Sequence, residues 1–187
     1  PCNAQTGGDY EYTISRLALS LKEDGSVLVE EYVTLQTPSG EFQIVLDVPG
    51  GILEESIGIH PDPAPTVAIE RFAVFTEGGV KKLKLSGTSA RDANAVLKVT
   101  YISSDIKWQI FYSLSFSNDG KSALSARLRI ENNSYLSFND VDVVLPDETV
   151  FKQVRIDANS SGWLAVGELP VQIKSEYIGF LRSFKSE

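Results

Sequence analysis

Strict alternation of apolar and polar residues is the feature of this sequence that most limits its fold. In the stretch DIKWQIFYSLSF, every second residue from Ile106 to Phe116 is apolar, and most residues between them are polar. A period of two is typical of a β-strand with one buried face. No segment longer than about ten residues keeps the three-to-four spacing of an amphipathic helix. We therefore predict an all-β protein with a long half-buried strand at Ile106–Phe116.

Turn residues separate the alternating segments and predict hairpins. Asn118-Asp119-Gly120 follows the long strand, and Asp24-Gly25 stands between two strands near the start of the chain. Both sequences favour tight turns with positive φ. Short strands recur at intervals of roughly ten residues, with turn residues between them. This pattern predicts one or two packed antiparallel β-sandwich lobes.

A polar run from Ser86 to Asn94 is the best candidate for a linker between two lobes. On this interpretation residues 1–14 form an extended N-terminal segment, residues 15–88 the N-terminal lobe and residues 95–187 the C-terminal lobe. Each lobe is close to the lower size limit for independent folding, so we expect the two to pack together.

The composition of the chain argues against two kinds of partner. Its formal net charge is −8 and its isoelectric point is about 4.7. Nucleic acids and anionic lipid surfaces need Lys and Arg gathered on one face, which an acidic chain of this kind does not provide. No run of about 18 apolar residues is present, so we predict no membrane span.

Residues that could carry enzyme chemistry are sparse. The single histidine, His60, lies in a Pro-rich stretch, and neither a nucleophile elbow nor a phosphate-binding glycine loop accompanies it. The acidic stretch around Asp140 and Asp142 offers oxygen ligands, but these two aspartates alternate with valines on the outward face of a predicted strand. We therefore expect a protein that is not an enzyme, with no catalytic residue, metal site or cofactor.

Two stretches of the chain resemble the mucoidy-inhibitor-type proteins, which have paired β-domains. The first, DGSVLVEEYVTLQTPSGEFQIVLDVPGGILEESIGI, resembles their N-terminal domain, and its matching positions are Asp24, Gly25, Gly40, Val48, Pro49, Ser56 and Ile57. The second, Val99 to Glu148, resembles their C-terminal domain, and its matching positions are Tyr101, Trp108, Tyr112, Ala126, Asn132, Val141 and Leu145. The long coiled-coil insertion of that family is missing here. The resemblance implies paired β-domains and no particular chemistry.

Several features favour export from the cell. The sequence contains no Met, which fits a processed exported protein or a fragment of a longer chain, and we favour export. Asn132-Asn133-Ser134 and Asn159-Ser160-Ser161 are candidate glycosylation sites. The lone Cys2 has no internal disulfide partner, so it is a free thiol, a bond to another chain or a lipid anchor.

A change of phase in YEYTISRLALSL suggests how the protein functions. The apolar positions Tyr10, Tyr12 and Ile14 fall out of step with the leucines from Leu17 onward, so the strand changes faces near Ser15 through a bulge or by passing to another sheet or molecule. We expect Tyr10, Tyr12 and Ile14 to fill a groove in a neighbouring copy, as in pilus-like donor-strand complementation.

The resulting expectation is an exported structural subunit that assembles with itself into an extracellular filament or surface layer. The alternative is a cell-surface β-sandwich module that binds polysaccharide or an envelope protein. Aromatic residues bear on both, because Phe72, Phe75, Phe111 and Trp163 belong to a set too large for one small core. Most of that set is expected to pack in cores, while exposed members could contact carbohydrate or another subunit.

Overall fold

The computed structural model describes residues 5–6, 11–37, 39–62, 66–116 and 122–171. These residues form β-strands and one turn of 3-10 helix at Glu54–Ser56, and no helix among them is long and apolar enough to cross a bilayer. The prediction of an all-β fold is confirmed. In chain order the strands are β1 (Gln5–Thr6), β2 (Glu11–Leu21), β3 (Val27–Thr37), β4 (Gly40–Asp47), β5 (Gly58–Asp62), β6 (Val67–Glu77), β7 (Val80–Ser89), β8 (Ala93–Ile102), β9 (Ile106–Phe116), β10 (Ser122–Asn132), β11 (Phe138–Val144), β12 (Val150–Ile156) and β13 (Ser160–Val171).

The strands form three sheets. The large sheet has the order β12-β11-β2-β3-β8-β5, with β1 paired to β2 beside this series. Its pairs are antiparallel except β2 with β11, which run parallel. The small sheet has the order β4-β7-β6, and the third sheet has the order β13-β10-β9. Strands far apart in the sequence, β2 and β11, therefore lie side by side in the large sheet.

Two compact units make up the chain. Unit 1 comprises Pro1–Trp108 and Ile130–Ser161, and unit 2 comprises Gln109–Arg129 and Gly162–Glu187. Unit 1 contains the large and small sheets. Within the described residues, unit 2 consists of parts of β9, β10 and β13, so it is built from the third sheet alone.

The core of unit 1 lies between the large and small sheets. Along β3 the odd-numbered residues are buried and most of those between them are partly exposed, as the alternation predicts. The facing strands of the small sheet contribute Phe42, Ile44, Leu46, Leu83 and Leu85, which are all buried.

Two hydrogen bonds join the sheets across this core. The hydroxyl of Tyr12 on β2 donates to the carbonyl of Val45 on β4 at 2.9 Å, and Thr37 Oγ1 on β3 donates to Ser89 Oγ on β7 at 3.1 Å. The buried rows and these bonds describe a β-sandwich.

The predicted linker at Ser86–Asn94 does not separate two lobes. Most of it belongs to β7 and β8, and β8 pairs with β3 in the middle of the large sheet. The predicted lobes 15–88 and 95–187 therefore share one sheet, and the division of the chain falls at 108/109, 129/130 and 161/162 instead. A polar run favours an exposed turn, and the connection from β7 in the small sheet to β8 in the large sheet satisfies that as well as a linker between lobes does.

The phase change near Ser15 is a β-bulge within one strand. The register of β2 on β3 shifts between Ile14 and Arg16, so that Ile14 lies opposite Val33 and Leu17 lies opposite Glu31. The apolar side chains before and after the bulge therefore face the same core, because the extra residue in β2 offsets the change of phase in the sequence. Tyr12 is buried in its own core, which corrects the expectation that it fills a neighbouring copy.

The predicted donor segment is thus part of the home sheet wherever it is described. Ile14 pairs within β2 and β3, and Gln5 and Thr6 pair with Tyr12 and Glu11. Tyr10 and Cys2 lie outside the described residues. The Asp24-Gly25 turn is confirmed: Gly25 has a φ of 85°, and Asp24 Oδ1 accepts hydrogen bonds from the backbone and hydroxyl of Ser26.

Replacing Gly87 by Ala is expected to destabilise unit 1. A methyl group at this position on β7 would meet the backbone carbonyl of Ala68 and lie 2.9 Å from Cζ of the buried Phe42 ring. Overpacking of this kind typically costs about 1–3 kcal/mol. Urea unfolding should show a lower midpoint for Gly87→Ala than for the control Gly50→Ala, where the nearest atom would lie at 3.5 Å. Equal midpoints would contradict the close packing described here.

Candidate protein interface

The residues that the sequence analysis considered for catalysis or metal binding do not lie together in the structure. His60 is an exposed residue of β5, opposite Lys98. Asp140 is exposed, Asp142 lies between the buried Val141 and Val143, and Asp142 forms an ion pair with Arg16 at 3.2 Å. Within the described ranges, no three His, Cys, Asp or Glu residues are grouped to hold a metal ion.

The adjacent carboxylates Glu30 and Glu31 point to opposite faces of β3, because successive side chains alternate along a strand. Glu30 lies on the outer face of the large sheet, where it accepts from Lys98 Nζ at 2.5 Å and from Ser20 Oγ at 3.2 Å. Lys98 also lies 5.7 Å from the centre of the Tyr32 ring. This outer cluster is a set of surface pairs, which usually add little stability and suggest no reaction.

Glu31 is a buried carboxyl in the apolar row of β3. One carboxyl oxygen accepts a 2.5 Å hydrogen bond from the buried Tyr101 hydroxyl, and the other, Oε2, has no hydrogen-bond partner. Burial, together with the nearby Asp47 carboxylate, raises the pKa of Glu31 to about 7, although the Tyr101 bond opposes this. Burial, Asp47 and Glu31 likewise raise the pKa of Tyr12 to about 12.

Tyr135 fixes the loop between β10 and β11 to the small sheet. Its hydroxyl contacts the carbonyl of Val48 and accepts a 2.7 Å hydrogen bond from the backbone N–H of Lys81. These contacts satisfy backbone groups at the end of β4 and the start of β7. The roles of Glu31, Tyr101 and Tyr135 were missed by sequence reasoning, although an acid in the alternating valine row VLVEEYV was a visible signal for Glu31.

A depression lies on the small sheet. Its volume is about 290 Å³, and it is lined by Glu41, Phe42, Gln43, Glu70, Arg71, Ser86 and Gly87. Its lining includes charged groups of both signs, so it indicates no ligand class.

Unit 2 exposes large apolar side chains that its sequence pattern had predicted to be half-buried. Tyr112, Phe116 and Trp163 are exposed by 68%, 64% and 54%, and Phe111 and Leu114 are also exposed. In β9, burial is confined to the N-terminal end, and every residue from Phe111 to Phe116 is exposed. The physical reason is that the described part of unit 2 is a single sheet, so it has no second layer of its own.

One face of this sheet carries an aromatic pair. The ring centres of Phe111 and Trp163 are 5.1 Å apart, with their planes tilted by 55°. The guanidinium of Arg129 lies 5.9 Å from the centre of the Trp163 ring. Tyr112, Leu114 and Phe116 alternate with Phe111 along β9 and therefore belong to the opposite face. Both faces of unit 2 thus display apolar side chains.

The edge strands of the large sheet resist pairing with another chain. At one edge, β12 carries Lys152 and Arg155, and Gln153 has a φ of 56°, which disturbs its register with β11. At the other edge, β5 is only five residues long and contains Pro61 and Asp62. Short edges, charges, prolines and irregularities are the usual means by which proteins avoid edge-to-edge association.

The small sheet and one side of the third sheet are protected in the same way. Glu41 and Asp47 lie on β4, and β6 has a bulge between Ile69 and Arg71. β13 contains Pro170, which has no backbone N–H to donate to a neighbouring strand. Each of these edges would bring a charge, a proline or a bulge against an incoming strand.

β9 forms the other edge of the third sheet, and beyond Lys107 it carries no charge and no proline. Among the described strands it pairs only with β10. The stretch Gln109–Phe116, QIFYSLSF, contains no charged residue, no proline and no glycine. A long apolar edge of this kind presents unpaired backbone groups to any strand that can approach.

The two predicted glycosylation sites differ in accessibility. Asn132 is fully buried: its Nδ2 donates to the carbonyls of Leu136 and Asp157, and its Oδ1 accepts from Ser134. The folded protein therefore offers no access to Asn132, which corrects that expectation. Asn159 is exposed in the turn between β12 and β13, so its glycosylation stays a prediction.

Comparisons of the chain with protein-family models, curated proteins and solved structures found no match. The resemblance to the mucoidy-inhibitor-type proteins stays a prediction.

The buried Glu31 should make the stability of the protein depend on pH. The folded protein keeps the Glu31 proton up to about pH 7, whereas the unfolded chain loses it near the ordinary pKa of 4.5. Below pH 4.5 both states hold the proton, so the free energy of unfolding should fall as the pH rises from 4.5 to 7, by roughly 3 kcal/mol.

The measurement is urea unfolding at about pH 5 and about pH 7, near the two ends of this window. Glu31→Gln keeps an acceptor for Tyr101 and removes the ionisation, so its stability should change little between the two pH values. The control Glu55→Gln alters an exposed carboxyl and should behave like the wild type. A wild-type stability that is constant or rises with pH would contradict the assignment.

Proposed function

We propose that this protein is a non-catalytic structural subunit that assembles with other copies of itself by β-strand addition at the edge of β9. The observation that supports the proposal most directly is the uncharged, exposed stretch Gln109–Phe116 on an edge strand that pairs on one side only among the described strands. The interface expected from the sequence at Tyr10, Tyr12 and Ile14 is replaced by this one.

Strand addition would stabilise this edge in two ways. The backbone N–H and C=O groups on its open side would exchange water for hydrogen bonds to another strand. Its exposed side chains would also gain cross-strand neighbours, and each aromatic or β-branched pair of this kind contributes roughly 0.2–1 kcal/mol. Tyr112 and Phe116, the most exposed, would gain most.

Charge favours β9 over the rest of the surface for self-association. The chain has a formal charge of −8, so two copies repel one another at most points of approach. Gln109–Phe116 carries no charge and contributes nothing to that repulsion. Two acidic molecules can therefore meet along β9 without placing like charges opposite each other.

An extracellular or cell-surface setting belongs to the same proposal. It rests on the exposed Asn159-Ser160-Ser161 sequence, which a glycosylating secretory pathway could modify. The residues weighed as catalytic candidates lie apart, which is why the proposal is for a structural protein.

A carbohydrate-binding module is the second candidate. It is favoured by the exposed Trp163, whose ring lies beside Phe111 and Arg129 in an arrangement that a sugar ring could cover. On this alternative Trp163→Ala should abolish binding to a glycan array and leave association between copies unchanged. A wild-type protein that binds no glycan would remove the alternative.

The assembly proposal predicts that a charge on the β9 edge prevents association. Tyr112→Lys places an ammonium group at an exposed position of β9, where it would face an apolar strand of the neighbour, and the dissociation constant should rise at least about tenfold. Thr76→Lys is the matched control on the protected edge β6 and should associate like the wild type. Sedimentation velocity over a range of concentrations measures both.

A wild-type chain that stays monomeric up to roughly 1 mM, where association is worth only about 4 kcal/mol, would refute the proposal. So would a Tyr112→Lys variant that is folded by circular dichroism and associates as tightly as the wild type.

A further inference from the structure

We infer that the strand added to β9 is β9 of a second copy, running antiparallel about a two-fold axis, so that the product is a closed dimer. This inference rests on the proposed function and adds the partner, the direction and the symmetry of the contact.

The partner follows from comparing the described sheet edges. Among the described strands of another copy, only an edge strand can pair with β9. The edges β4, β5, β6, β12 and β13 each carry charges, a proline or a bulge, which an apolar neighbour cannot accommodate without desolvating the charge or losing ladder hydrogen bonds. The described edge that matches the composition of β9 is β9 itself.

The direction follows from symmetry and from hydrogen-bond geometry. Two identical strands paired antiparallel are related by a two-fold axis normal to the sheet, and every favourable contact then occurs twice. Parallel pairing gives slanted and slightly less stable hydrogen bonds. The two-fold arrangement also leaves no open β9 edge on the product, which explains how an edge this apolar can exist without continuing into a fibre.

Side-chain placement is consistent with this arrangement. In a two-fold antiparallel pair, opposing residues lie on the same face of the sheet, so the row of Tyr112, Leu114 and Phe116 would meet its own copy. The row of Phe111, Ser113 and Ser115 would do the same on the other face. Aromatic residues therefore oppose aromatic, aliphatic or hydroxyl side chains, and charges are missing from both rows.

The geometry can be tested by cysteine cross-linking. In the two-fold pair one residue of β9 lies opposite itself, with Cα atoms about 4.5–5.5 Å apart, and each step along the strand moves the two copies of a residue about 7 Å further out of register. Disulfides need Cα atoms within about 7 Å. One position of β9 should therefore cross-link with itself, and its immediate neighbours should not.

The experiment uses the full chain with Cys2→Ser and one cysteine at each position from Gln109 to Phe116 in turn. On mild oxidation, one variant should form a covalent dimer, and mixing the two variants on either side of it should produce a cross-linked heterodimer that neither forms alone. Thr76→Cys on β6 reports random collision and should stay monomeric under the same conditions. Light scattering on the unmodified chain should give the mass of a dimer.

The outcomes separate this inference from the proposed function. Association without a self-cross-linking position, or association into species larger than dimers, would overturn the two-fold β9 pair and keep assembly itself. Cross-linking at Thr76→Cys as efficient as at β9 would overturn the choice of edge. A chain that does not associate at all would refute the proposed function and this inference with it.

Discussion

The structure of unit 1 depends on the pairing of β3 with its two neighbours. β3 lies between β2 and β8, and its antiparallel register with β8 runs without interruption from Leu28 opposite Ile102 to Thr37 opposite Ala93. A slip of one residue would turn Val27, Val29 and Val33 to the solvent. Burial therefore fixes this register, and β11 and β5 are then placed by pairing with β2 and β8.

The same register puts a carboxyl into the core. Side chains two residues apart on a strand lie on the same face. Glu31 therefore faces the core together with Val29 and Val33. A buried charge is costly unless it is paired, and the Tyr101 hydroxyl satisfies only one of its two oxygens. The folded protein therefore favours the neutral, protonated form of the Glu31 carboxyl. Core stability and proton binding are coupled at this residue, even though it takes part in no identified reaction.

The same alternating sequence pattern occurs in units 1 and 2, but its apolar side chains are covered in unit 1 and exposed in unit 2. In unit 1 the alternating rows of β3, β4 and β7 are covered by a facing sheet and are buried. In unit 2 a row of the same kind on β9 has no such layer among the described residues, and Tyr112, Leu114 and Phe116 are exposed. Apolar side chains left exposed on a strand edge are the usual mark of an interaction surface, and here they coincide with a lack of charge.

Much of the fold could be predicted from the sequence because strand formation and turns are local properties. The alternation from Ile106 to Phe116 predicted a strand that the structure contains, and Asp24-Gly25 predicted the turn between β2 and β3. The phase change at Ser15 predicted either a β-bulge or a strand that passes to another sheet or molecule, and the sequence is consistent with both interpretations. Choosing between them required knowing that Ile14 and Leu17 face the same core.

The candidate site was less predictable. The sequence alone determined the strands, the lack of charge in Gln109–Phe116 and the surplus of aromatic residues. Only the tertiary structure decided that β8 joins β3 rather than a separate lobe, that Asn132 is inaccessible, and that β9 is an edge. The physical reason is that burial and edge position depend on which distant strands lie beside or across from a segment, and a local pattern contains no information on these partners.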